Sequence, residues 1–182
     1  MEYSPHELLA GWDSYYVILG SSAAALTGLQ FVVMALVADH PGPSSPEAVA
    51  AFGTPTIVHF CQVLFVAGVL TAPWTSLGAV AIPLVLAGVV GVCYALLTFL
   101  RARRQASYQP VLEDWIWHVI LPFLAYGSWV VAAMLLTGHG IGAMFFIAAA
   151  ALLLVYVGIH NSWDTVEYLA LQRSAARPQK SE

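Results

Sequence analysis

The sequence predicts an all-α fold, an integral membrane bundle of five transmembrane helices with the N-terminus outside and the C-terminus cytoplasmic. Three observations carry that prediction. Of 182 residues, 60% are hydrophobic and only 9% are charged, with a mean hydropathy of +0.79, whereas a soluble domain carries about a quarter charged residues. Apolar runs of about 20 residues, the length that crosses a hydrocarbon core, recur along nearly the whole chain. All six Lys and Arg residues follow either the third run (Arg101, Arg103, Arg104) or the fifth (Arg173, Arg177, Lys180). With five spans those two ends share a side, which the positive-inside rule makes cytoplasmic.

Each element has a local reason. Ser4-Pro5-His6-Glu7 reads as a capping box with proline in the first turn, a helix start that sets Leu8, Leu9 and Trp12 at the outer interface. Span one runs from Ser14 to Val37 and stops at Asp39-His40-Pro41-Gly42-Pro43. Span two covers Val49 to Ala72 and is ended by Pro73. Span three covers Leu77 to Leu100, before the arginines. Span four starts at Pro110, whose missing N–H is harmless in a first turn, and reaches Leu136. Thr137-Gly138-His139-Gly140 links it to span five, Ile141 to Leu171, and a polar tail covers 172–182. Tyr15, Tyr16, Trp74, Trp115 and Trp117 suit the aromatic belts at the membrane surfaces. Gly20, Ala24 and Gly28 on span one, and Gly88 and Gly91 on span three, predict close helix contacts within the bundle. Cys61 and Cys93 read as small buried thiols. No repeat, low-complexity tract or second domain is evident, and Met1-Glu2-Tyr3 lacks the basic start of a cleaved secretory signal.

Depth then sorts the polar residues. At 1.5 Å of rise per residue, His59 lies roughly 15 Å in from the cytoplasmic end of span two, and His118 about 6 Å deeper than Asp114 on span four. On span five, Glu167 is shallow, Asp164 deeper and His160 deepest. Thr27 and Gln30 of span one fall in the same half. Ionisable groups near the centre of a bilayer helix cost roughly 2.5–3.5 kcal/mol on insertion scales, so they tend to pair or to mark a functional path. Spacing also aligns them: His160, Asp164 and Glu167 form an i, i+4, i+7 stripe, and Asp114 and His118 are i, i+4. Glu113 points away from His118, towards the surface.

This layer of imidazole and carboxylate fits a divalent transition metal, with His59, Asp114, His118, His160 and Asp164 as ligands. Zinc, iron or manganese accept such a donor set, and no thiolate favours copper(I). Asp164 and Glu167 are the candidate general bases of a metal-dependent membrane enzyme acting on a lipid-like substrate. The residues leave other readings open. The same groups could relay protons or cations; paired histidines could hold haem; the cluster could simply fix helix register in an accessory subunit. Asp114 and Glu113 also suit a helix N-terminus as dipole partners, His59 suits a satisfied polar group between helices, and Asp164 and Glu167 suit a wet tail if span five ends near Ser162. The expected partners are the lipid bilayer and a second copy of the chain. The formal charge of −4, with no basic stripe, speaks against nucleic acid.

The stretch Ser22-Ala23-Ala24-Ala25-Leu26-Thr27-Gly28-Leu29-Gln30-Phe31-Val32-Val33 resembles the first helix of small uncharacterised bacterial multi-pass inner-membrane proteins. The resemblance covers span one, implies the inner (plasma) membrane as the location, and implies no activity.

Overall fold

The computed structural model describes residues 4–38, 46–104 and 112–175. His40, Pro110, Arg177 and Lys180, to which the sequence assigns link, helix-start and charge roles, lie outside these residues. Helix α1 (Pro5–Ala10) starts as the capping box requires: Ser4 Oγ accepts from the Glu7 N–H, and the Glu7 carboxylate accepts from the Ser4 N–H. Its Leu8 and Leu9 are buried, with Leu8 against Gly140. Thus α1 closes one end of the bundle rather than lying at the interface alone.

Five long helical stretches follow: α2 (Asp13–Ala38), α3 (Pro46–Leu70), α4 (Leu77–Arg104), a fourth made of three parts, and α7 (Gly140–Ala175). Their limits match the predicted spans to within a few residues. The fourth departs from the expected continuous helix. It comprises α5 (Leu112–Trp115), a π-helical turn (Ile116–Ile120) and α6 (Leu121–Leu135). α7 runs through Ser162 without a break, so Asp164 and Glu167 are helical. Among the described residues there is no strand.

Four helical stretches are long and apolar enough to cross a membrane: Asp13–Ala35, Leu77–Arg101, Ile116–Leu135 and Gly140–Glu167; the described apolar part of α3, Thr54–Leu70, is shorter. Their outward faces carry exposed Ile18, Phe31, Ile82, Leu86, Phe145 and Phe146. An apolar face of this extent belongs against lipid rather than water. Cys61 and Cys93 lie on it, exposed, which corrects the expectation of buried thiols. A lipid-facing position is as apolar as a core position, so hydropathy could not separate the two.

The helices alternate in direction and close into a ring, with α2 against α3 and α7, α4 against α3 and α6, and α7 also against α6 and α3. The end away from the arginines is filled by Tyr16, Leu70, Leu84, Trp129, Leu136, Met144 and Ile147, all almost fully buried. Two interhelical hydrogen bonds fix that end: Trp129 Nε1 donates to the Ile147 carbonyl at 3.1 Å, and Tyr15 Oη to the Ala148 carbonyl at 2.8 Å. Small residues act where two backbones meet. A Cβ on Gly20 would stand 2.8 Å from that of Ala67, and one on Gly91 would enter the Tyr126 ring at 2.1 Å. Gly28 has nothing within 4 Å of its Cβ position, so only part of the span-one ridge is used for packing in the bundle.

Candidate functional site

The site starts on the inner face of α3. Thr56, His59, Phe60, Val63 and Ala67 repeat at three and four residues, and all are buried. His59 faces α6, where its Nδ1 shares a 2.8 Å hydrogen bond with the Tyr126 hydroxyl. Tyr126 reaches this position because Gly88 and Gly91 let α4 close on the back of its ring. The other imidazole nitrogen, Nε2, is shielded from solvent and has no hydrogen-bond partner among the described residues. If Nδ1–H donates to Tyr126, Nε2 presents a lone pair, the arrangement that second-shell partners impose on metal-binding imidazoles.

The π turn brings in the next histidine. One extra residue per turn shifts the phase of the fourth span at Trp117 and His118, placing His118 within electrostatic reach of His59. Trp117 turns to α7 and stacks on the His160 ring, centroids 3.9 Å apart at 26°. His160 Nε2 stands 3.2 Å from Asp164 Oδ2 and 4.0 Å from Glu113 Oε1. Neither carboxylate is aligned for a hydrogen bond to it, so the contact is electrostatic. α5 is held over this region through Trp115, whose ring meets Phe99 of α4 at 5.5 Å, with Arg103 on that same Phe99.

The register of α3 against α7 adds two residues. Phe60 packs on Gly158, where a Cβ would lie 2.4 Å from the ring. These helices are antiparallel, and Thr56 on α3 and Asn161 on α7 both lie on the arginine side of this contact. Both are buried, and Thr56 Oγ1, Asn161 Oδ1 and Asn161 Nδ2 have no partner among the described residues.

His118 is thus within electrostatic reach of His59, while His160 has Trp117 stacked on it and Asp164 beside it. Glu167 is exposed further along α7, off the cluster, and the Asp114 side chain lies outside the described ones. Among the described residues, no group of three or more His, Cys, Asp or Glu side chains is close enough to hold a metal ion. Tyr126, Trp117, Thr56 and Asn161 were not among the expected site residues, and Glu113, expected near the surface, is 70% exposed with Oε1 4.0 Å from His160. Two of these left signals: Thr56 stands three residues before His59, and Asn161 follows His160 directly. Trp117 was assigned to an interfacial belt because its partner is on a distant helix.

No protein-family model matches the chain, and no curated protein or solved structure shows significant similarity to it.

Proposed function

We propose that the chain is a five-span protein of the bacterial inner membrane, N-terminus outside and C-terminus cytoplasmic, whose histidine site binds a divalent transition metal in the cytoplasmic half. The observation that carries this reading is His59, buried, with Nδ1 held by Tyr126, Nε2 unpartnered among the described residues and His118 within electrostatic reach. Zinc, iron or manganese would take His59 and His118 as nitrogen ligands, with oxygen from Asp114 or from Asp164 after a side-chain shift. An ion held there would polarise water or a carbonyl of a lipid-like substrate, and Asp164, half exposed, would accept a proton.

A relay of protons or cations is the second reading, favoured by the contact of His160 with two carboxylates. The packed apolar end around Trp129, Met144 and Ile147 opposes it, because a path through one protomer would have to cross that plug. A site closed on one side suits binding and catalysis better than conduction.

Metal content separates the two. Protein purified in mild detergent without a polyhistidine tag should retain near-stoichiometric metal, and His59→Ala and His118→Ala should lose it. Wild-type protein that stays metal-free after loading and dialysis refutes the metal reading.

A further inference from the structure

We propose that Thr56, His59 and Asn161 form a water-binding chamber, the closed end of an aqueous half-channel that enters the bundle from the end bearing Arg101 and Arg103. Thr56 is 0%, His59 1% and Asn161 2% exposed. Between them, four polar atoms (Thr56 Oγ1, His59 Nε2, Asn161 Oδ1 and Nδ2) have no partner among the described residues. Buried amides and hydroxyls are almost always hydrogen-bonded, and an amide with neither end satisfied is the costliest case of this kind. The three side chains carry no fixed charge and between them offer both donors and acceptors. That is the chemistry of a site for water, which makes about two to four hydrogen bonds to groups of this type when buried.

Position makes the chamber an end rather than an isolated pocket. Thr56 and Asn161 both lie on the arginine side of the Phe60–Gly158 contact, and His59 lies one turn from Thr56 on the same helix. On the arginine side of Asn161 the next ionisable side chains are exposed, Asp164 at 48% and Glu113 at 70%. In the other direction the buried side chains are apolar apart from the Tyr126 and Tyr16 hydroxyls, with Val63, Val66, Leu154 and Trp129 all buried. Water can therefore reach His59 from one side only. The inference does not depend on the metal: the chamber gives solvent or an ion access to His59 whichever chemistry occurs there.

Substituted cysteines test it on metal-free, chelator-treated protein in liposomes, so the outcome is independent of metal binding. In a background with Cys61→Ser and Cys93→Ser, Thr56→Cys, Asn161→Cys, Val63→Cys and Asp164→Cys are treated with a small water-soluble methanethiosulfonate, which needs a hydrated thiolate. The expected result is modification at Thr56→Cys and Asn161→Cys within about an order of magnitude of the Asp164→Cys rate, and none at Val63→Cys. Protection of both positions while Asp164→Cys reacts overturns the chamber. Reaction at Val63→Cys overturns the closed end. Radiolytic hydroxyl-radical footprinting of the unaltered protein guards against misfolded variants. Oxidation of His59, Phe60 and Tyr126 with Met144 untouched is expected, and an unmodified His59–Phe60 segment contradicts the proposal.

Discussion

Replacing Tyr126 with Phe removes one oxygen atom and nothing else from the packing. The ring stays between Gly91 and His59, but His59 Nδ1 loses its 2.8 Å partner on a side chain that is buried. A buried group left unpaired costs about 1–3 kcal/mol in water-soluble proteins. Between membrane helices the measured worth of such bonds is lower, about 0.6–1.7 kcal/mol, since the unfolded chain in lipid also finds partners. The coupling expected between Tyr126→Phe and His59→Ala in a double-mutant cycle is therefore about 1 kcal/mol, roughly a fivefold change in the folding equilibrium. Reversible unfolding in mixed micelles, with all four proteins on one denaturant scale, measures it. A coupling below about 0.3 kcal/mol, the scatter of independent sites, would refute the claim that Tyr126 fixes the imidazole. The same variant should weaken metal binding about 10- to 100-fold, as loss of an outer-shell partner does.

Three further outcomes follow from the geometry. Gly91→Ala should destabilise by about 1–3 kcal/mol through overpacking, because the new methyl meets the Tyr126 ring, whereas Gly28→Ala, with open space at its Cβ position, should be neutral in the same unfolding assay. Asp164→Asn should change stability by less than about 1 kcal/mol, since its contact with His160 is partly exposed, yet reduce the metal retained after dialysis. Glu7 has its carboxyl held below the usual carboxylate range by hydrogen bonds from the Ser4 side chain and backbone. A group depressed in the folded state contributes stability above its unfolded pKa, 4.5 here, and loses it as pH falls through the folded value. Hydrogen exchange at the first amides of α1 should therefore quicken as pH drops below that range, beyond the intrinsic pH dependence, and Ser4→Ala should abolish the extra effect.

The helical class and the limits of the long helices were legible because hydropathy over 20 residues needs no tertiary information. What each side chain touches was not. The π turn at Ile116–Ile120 alters the phase that an ideal helix would give Asp114 and His118, and nothing in Ile-Trp-His-Val-Ile announces it. Gly91 and Gly158 read as generic small residues, although each admits one particular ring, Tyr126 or Phe60. In a bilayer both the core and the outer face are apolar, so the exposure of Cys61 and the burial of Asn161 depend on helix rotation, which periodicity barely encodes here.

The central claim is that His59 and His118 ligate an ion inside the bundle. X-ray absorption at the metal edge, on tag-free protein loaded with zinc or cobalt and dialysed, tests it most directly. The account predicts the multiple-scattering signature of imidazole ligands, weakened in His118→Ala and displaced in Tyr126→Phe. A spectrum without imidazole, or no ion retained by folded wild-type protein, would contradict it.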